Sequence, residues 1–97
     1  MIPTTKITGK QIIAARGLLG ITQSELAEAA DVTKQTILKI EGEQVRPYLS
    51  TMEKVRAVLE ARGIEFTNGG GIGIRLNFEK AAEFARSSAH PRNNLER

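Results

Sequence analysis

The sequence predicts a mainly α-helical fold, in which a four-helix bundle is followed by a β-hairpin and a short C-terminal helix. The first observation is a repeated pairing of threonine with glutamine or glutamate three residues later, in Thr8 with Gln11 and in Thr22 with Glu25. This spacing is that of a capping box, which opens an α-helix. The second observation is a change after Gly63 from helical spacing of apolar residues to alternation, which is typical of β-strands.

Length and composition limit the classes of protein to which this chain can belong. The 97 residues suffice for one domain with a modest core and an appendage, and the absence of cysteine excludes disulfides and thiolate metal sites. No apolar run approaches the roughly 18 residues that span a bilayer, and no signal peptide is visible. We therefore expect a cytoplasmic protein with no membrane partner. The net charge of +3 is compatible with nucleic acid but is weak evidence by itself.

The chain begins with a segment that shows no periodicity. Residues 1–7 contain Pro3 and predict a flexible N-terminal arm. Thr8 then opens the first helix, and Gly20 marks its end. We expect the inward side of this helix to consist of Ile12, Ala15 and Leu19.

Two short helical patterns follow between residues 22 and 41, separated by a polar break at Asp31. Thr22 caps the first of these helices. Thr33 caps the second, because it is flanked by two apolar residues at the positions of a hydrophobic staple, Val32 and Ile37. The buried side of the second helix is predicted to be Ile37, Ile40 and Glu41.

The opposite face of this second helix is rich in hydrogen-bond donors and almost free of acids. Two short helices at a sharp angle, with donors at the start of the second, are the arrangement that places a recognition helix in the major groove of DNA. Lysine can donate to guanine, glutamine can pair with adenine, and threonine can contact a thymine methyl group. The candidate base contacts are Lys34, Gln35, Thr36 and Lys39.

The run ITQSELAEAADVTKQTILKIEGEQVRP strongly resembles the phage-repressor, or Xre (Cro/C1-type), family of helix-turn-helix transcriptional regulators. The resemblance rests on the T-Q-x-E-L-A opening, the S/T-x-x-T-I core and the I-E-x-G close, and it covers Gln11 to Gly63. It implies a DNA-binding domain at residues 8–63 with its recognition helix at residues 33–41. The family usually has a left-handed glycine where this chain has Asp31, and aspartate tolerates that conformation better than most residues.

The resemblance also implies roles for two residues that precede the recognition helix. Gln23 occupies the family position that binds a DNA phosphate with a helix N-terminus behind it. Arg16 matches an arginine that pairs with the glutamate closing the recognition helix, here Glu41, so we expect a structural ion pair. The alternative for Arg16 is a contact with phosphate. Further phosphate candidates are Thr33, Gln44 and Arg46.

A fourth helix is predicted to precede Gly63. Ser50 and Glu53 have the spacing of a third capping box, and Met52, Val55 and Leu59 follow at helical intervals. We place Leu49 in the bundle core with these apolar residues.

Residues 64–76 predict a β-hairpin around three glycines. A five-residue loop at 67–71 would put Phe66 opposite Ile72 and Ile64 opposite Ile74. A lone hairpin is marginal in water, so it must pack on the bundle or on a second subunit. The hypothesis for the second case is a dimer interface of Ile64, Phe66, Ile72, Ile74 and Leu76. The run GIEFTNGGGIGIRL resembles the ending of short Xre-like regulators.

Asn77 can cap a last helix that reaches residue 89. One side of this helix would be small and apolar, with Phe78, Ala81, Ala82 and Ala85. We interpret residues 64–89, the hairpin and this helix, as a dimerisation or docking element. Residues 90–97 contain Pro91 and two asparagines and predict a disordered tail.

Catalytic chemistry finds no support in these residues. The single histidine, His90, has no acidic or nucleophilic neighbour, and GGGIG lacks the Lys-Ser or Lys-Thr of a phosphate loop. We predict a protein that is not an enzyme, with no catalytic residue, metal site or cofactor.

Two functions remain. The first is a sequence-specific regulator that binds double-stranded DNA, as a homodimeric repressor on a palindromic operator, because one module reads only about four base pairs. The second is an antitoxin-like interaction module whose hairpin and C-terminal helix bind a protein partner. Gel-shift with genomic fragments separates them.

Overall fold

A computed structural model describes the backbone of residues 7–96 and the side chains of residues 7–87. Five helices and one antiparallel hairpin confirm the predicted fold class. In chain order the elements are α1 (Gly9–Leu19), α2 (Gln23–Ala30), α3 (Lys34–Glu41), α4 (Leu49–Ala61), β1 (Ile64–Thr67), β2 (Gly73–Leu76) and α5 (Phe78–Glu96). Residues 1–6 of the predicted N-terminal arm lie outside the described residues.

Threonine side chains cap the first three helices, as the sequence predicts. Thr8 and Thr22 each form a complete capping box, in which the threonine and the residue three positions later satisfy one another. Thr33 Oγ1 accepts a hydrogen bond from the backbone N–H of Thr36 at 3.1 Å. These bonds satisfy N–H groups that the first turn of a helix otherwise leaves without a partner. Three of the four bundle helices therefore begin where local side-chain chemistry places them.

The start of α4 differs from its prediction. The capping position is Tyr48, which makes no side-chain cap bond, and Ser50 lies inside the helix. Glu53 instead pairs with Arg56 at 2.7 Å. The prediction was wrong because a spacing of three residues also occurs on one face within a helix, where it has no capping meaning. Leu49, which the sequence analysis places in the core, is the first residue of α4 and is 67% exposed.

Ile7 belongs to the core, whereas the sequence predicts that residues 1–7 form a flexible arm. It is 8% exposed and lies one residue before the cap Thr8, while Ile12 follows four residues after the cap and is fully buried. These are the positions of a hydrophobic staple, which holds the entering chain against the first turn of a helix. The fully buried centre of the core is formed by Ile12, Leu26, Ile37, Val55, Leu59 and Ile64.

The hairpin has a register that differs from the prediction by two residues. Phe66 pairs with Ile74 and Ile64 with Leu76, so the five-residue loop is 68–72 and not 67–71. The shift is even, and apolar residues therefore stay on one face as predicted. In this register Gly73 pairs with Thr67, and a Cβ added to Gly73 would lie 3.0 Å from Thr67 Oγ1.

The apolar face of the hairpin packs on the chain's own bundle, against α1 and α4. Ile64 is 1% exposed, and Phe66, Ile74 and Leu76 are partly buried against the core. Ile64 is therefore covered by the same chain, whereas Phe66, Ile74 and Leu76 keep part of their surface exposed, so the dimer interface at the hairpin stays a prediction. Ile72 lies in the loop and remains 56% exposed.

Helix α5 is held at its N-terminal end. Asn77 Oδ1 accepts from the N–H of Lys80 at 3.0 Å, which confirms the predicted cap, and the N–H of Asn77 donates to the carbonyl of Gly63 at 2.7 Å. The helical backbone continues to Glu96, beyond the end predicted at residue 89 and through most of the segment expected to be a disordered tail. No glycine interrupts residues 78–96, and the helical backbone continues past Pro91.

Candidate nucleic-acid interface

Helix α3 has one buried face and one exposed face. Ile37, Ile40 and Glu41 are between 0% and 6% exposed, because α2 and α1 pack against that side. The donors expected to face outward do so: Lys34, Gln35 and Lys39 are exposed, together with Leu38 at 42%. The second helix of the pair therefore presents its polar side to solvent.

The turn between α2 and α3 depends on a left-handed residue. Asp31 has φ 59° and ψ 46°, and its N–H donates to the carbonyl of Glu28 at 3.2 Å. The N–H of Val32 donates to the carbonyl of Ala27 at 3.0 Å, which completes the C-terminal motif of α2. Thr33 follows at once as the cap of α3. Only residues 31–33 separate α2 from α3, which is the length of turn found in a helix-turn-helix.

A partly buried ion pair links the end of α3 to α1. Arg16 Nε donates to Glu41 Oε2 at 2.6 Å, and Nη2 donates to Oε1 at 2.9 Å, so the contact is bidentate. Arg16 Nη1 also donates to the carbonyl of Ile21 at 3.2 Å. Hydrogen bonding to Glu41 raises the pKa of Arg16 above its ordinary value. The last residue of α3 is thereby tied to α1 and to the loop before α2.

Gln23 joins the same network, which the sequence reasoning did not anticipate. Its Nε2 donates to Glu41 Oε1 at 2.9 Å. Glu41 therefore accepts from both Arg16 and Gln23, and a residue predicted to contact phosphate also positions the start of α2 against the end of α3. The signal available in the sequence was Glu41 itself, since a carboxylate on the buried face of a helix needs several donors.

The remaining predicted contact residues differ in how their polar groups are used. Thr33 Oγ1 lies 2.9 Å from Thr36 Oγ1, so both hydroxyls are engaged with each other at the start of α3. The other predicted contact residues are exposed, and their side chains make no hydrogen bond within residues 7–87. They are Lys34, Gln35, Lys39, Gln44 and Arg46. Donors without internal partners are free to bind a ligand.

The C-terminal end of α3 is fixed by a contact that no local pattern revealed. Glu43 has φ 56°, and its Oε2 accepts from the N–H of Gly9 at 3.2 Å. A Cβ on Gly9 would lie 2.3 Å from the carbonyl oxygen of Ile40, so only glycine allows α1 to approach this closely. The two segments are 34 residues apart in sequence, which is why spacing rules could not find the contact.

Within residues 7–96, no helix combines the length and the apolar character that crossing a bilayer requires.

The family model for the helix-turn-helix matches residues 12–65, which is more than half of the chain. No curated protein matches the sequence. The matched region begins in α1 and ends in β1, so it includes the turn at Asp31, the exposed face of α3 and the ion pair at Glu41. The chain therefore belongs to the Cro/C1-type, or Xre, family of DNA-binding helix-turn-helix regulators.

Proposed function

We propose that this protein is a sequence-specific transcriptional repressor of the cytoplasm, which binds a palindromic operator as a homodimer and inserts α3 into the major groove. The observation that carries the proposal is the division of α3 into two faces. Its apolar side and Glu41 are locked into the bundle, whereas the donors on the other side have no partner among residues 7–87. A rigid helix with free donors can read base edges without first breaking internal bonds.

Four residues of α3 are proposed to contact bases. Lys34 and Lys39 would donate to guanine O6 and N7, and Gln35 would form two hydrogen bonds with adenine. The hydroxyl of Thr36 is turned toward Thr33, which favours contact between its methyl group and a thymine methyl.

Contacts with phosphate would set the register of the protein on the duplex. Gln23 Nε2 has a second hydrogen besides the one used by Glu41, and its backbone N–H lies in the first turn of α2, where the helix dipole favours an anion. When the hydroxyl of Thr36 donates to Thr33 Oγ1, the hydroxyl hydrogen of Thr33 would be free to bind a phosphate. Gln44 and Arg46 would complete the set beyond the end of α3.

Selection of binding sites from random double-stranded DNA tests this proposal. We expect an enriched palindrome with half-site centres about one helical turn apart, 10–10.5 base pairs, or a multiple of it. Enrichment should be lost with the Gln35→Ala and Lys39→Ala double variant and kept with Lys80→Ala, a lysine of α5 that serves as a matched control. A failure to enrich any sequence at low salt would overturn the proposal.

A further inference from the structure

Helix α5 leaves one apolar stripe uncovered. Phe78 is 80% exposed, and Ala82 and Ala85 are also exposed. These residues follow one another at intervals of four and three, so they lie on a single side of the helix. The prediction grouped Ala81 with them, but Ala81 is turned toward the bundle.

The opposite side of α5 explains why the stripe points outward. Ala81 packs on Gly63, where an added Cβ would lie 3.2 Å from the Ala81 Cβ. The guanidinium of Arg62 lies over the ring of Phe84, 4.6 Å from its centroid. These two contacts fix the rotation of the helix about its own axis, and they leave the stripe at Phe78 with no partner within the described chain.

We propose that a second copy of this chain covers the stripe, with the two α5 helices antiparallel about a two-fold axis beside Ala82. The charges flanking the stripe support this occupant. Glu79 and Arg86 are seven residues apart and therefore lie on the same flank of the helix. Neither makes an ion pair or hydrogen bond with the part of the chain that the structure describes.

The antiparallel direction follows from these charges. In a parallel two-fold pair, the flank that carries Glu79 and Arg86 would face the opposite flank of the second copy, so neither charge would gain an oppositely charged partner from this pair. In an antiparallel pair each Glu79 lies beside the other copy's Arg86, and the midpoint between the two positions falls at Ala82. Alanine at the crossing point allows the helix axes to approach to about 8 Å, the short end of the usual range.

The inference rests on the proposed function and deepens it by naming the contact that joins the two copies. Helix α5 packs on α4, and the stripe includes none of the α3 donors that are proposed to contact DNA. One helix face buries less than the roughly 1,200–2,000 Å² of a standard stable interface. The free protein is therefore expected to dimerise weakly and more strongly on an operator that holds both copies.

Cross-linking gives the sharpest test, because the chain contains no cysteine. In Ala82→Cys the new thiol lies near the axis, and we expect a disulfide-linked dimer under mild oxidation. The matched control is Ser87→Cys, exposed on the other side of the same helix, and Ile72→Cys tests the hairpin loop. Cross-linking of Ala82→Cys no faster than Ser87→Cys, or fastest at Ile72→Cys, would overturn the proposal.

Sedimentation equilibrium of the full chain provides a second measurement. Phe78→Ser should raise the dimer dissociation constant about tenfold or more, whereas Tyr48→Ser, which removes an aromatic ring that is 83% exposed at the N-cap of α4, should leave it unchanged. Glu79→Arg should also weaken the dimer, and adding Arg86→Glu should restore it. Failure of that restoration would exclude the antiparallel pairing.

DNA binding separates this inference from the proposed function. Phe78→Ser should bind an isolated half-site as the wild type does and bind the full operator more weakly. Equal loss of affinity by Phe78→Ser and Tyr48→Ser on the full operator would reject the α5 interface and leave the regulator intact. Cross-linking at Ala82→Cys without binding to any selected DNA would support the dimer and reject the regulator.

Discussion

Gln11 Nε2 donates a hydrogen bond to the carbonyl of Gly73 at 2.9 Å across 62 residues of sequence. The same nitrogen donates to the carbonyl of Thr67 at 3.3 Å, and Gln11 Oε1 accepts from the N–H of Thr8 at 2.9 Å. One buried amide therefore completes the capping box of α1 and holds both strands of the hairpin at the point where the loop begins.

Gln11→Glu is expected to separate these two roles. The carboxylate keeps the acceptor for Thr8, but it loses both donors and faces two carbonyl oxygens while only 2% exposed. We expect a loss of about 2–3 kcal/mol in the free energy of unfolding, measured in urea. The control is Glu25→Gln in the exposed capping box of α2, which should change stability by less than about 0.5 kcal/mol. Equal effects in the two boxes would contradict the assignment.

Removal of one partner from the Arg16–Glu41 pair should be costly. Arg16→Ala leaves a carboxylate whose side chain is 5% exposed without its main donor, and we expect a loss of about 3 kcal/mol. The double variant Arg16→Met with Glu41→Leu should be more stable than Arg16→Ala, because neither charge remains buried. Arg56→Ala is the control and should cost at most about 1 kcal/mol, since Glu53 and Glu60 are half-exposed.

Asp31→Gly should stabilise the protein. A left-handed conformation costs an ordinary residue about 1–2 kcal/mol, and glycine removes this cost from the folded state. The greater conformational freedom of glycine in the unfolded chain offsets about 0.4–1 kcal/mol of that stabilisation. We expect a net increase of roughly 0.5 kcal/mol, and a decrease of about 1–3 kcal/mol for Asp31→Val. Glu43 also has positive φ, yet Glu43→Gly should gain less because it removes the bond to Gly9. A destabilised Asp31→Gly would mean that the carboxylate has a role of its own.

The contribution of Glu65 to the stability of the hairpin should decrease in acid. A hydrogen bond from Asn77, and next one from Arg75, lower the pKa of Glu65. Because the folded value is the lower one, the contribution of Glu65 is present above the pKa of an unfolded glutamate and is lost as the pH falls through the folded pKa. In an NMR titration, Asn77→Asp should raise this pKa, since aspartate keeps the cap on Lys80 but cannot donate to Glu65. An unchanged midpoint in that variant would refute the assigned cause.

Two kinds of DNA contact should differ in titrations of affinity against salt. Lys39→Ala should cost about 1–3 kcal/mol on the operator and lower the ratio of specific to non-specific affinity. Arg46→Ala should weaken all sequences alike and reduce the slope of affinity against salt by about one. If Lys39→Ala left the specificity ratio unchanged, the assignment of the α3 face as the readout surface would fail.

The boundaries of the first helices could be predicted because the bonds that set them are local. Each bond joins residues three or four apart, as between Thr22 and Glu25, so the spacing in the sequence directly identifies the contact. Family resemblance extended this to the pairing of Arg16 with Glu41. The start of α4 shows the limit, since the same spacing of Ser50 and Glu53 has no capping role inside a helix.

The sequence by itself determined the order of elements, the polar break at Asp31 and the choice of donors on α3, which follow from the chemistry of near neighbours, and the family resemblance added the left-handed conformation of Asp31. Only the tertiary structure decided which face of the hairpin is covered, its register, and the rotation of α5 that exposes Phe78. Those features depend on contacts between distant segments, such as Gln11 with Gly73 and Gly63 with Ala81. An alternating or helical pattern shows which side of an element is apolar, but it does not show which neighbour will cover that side.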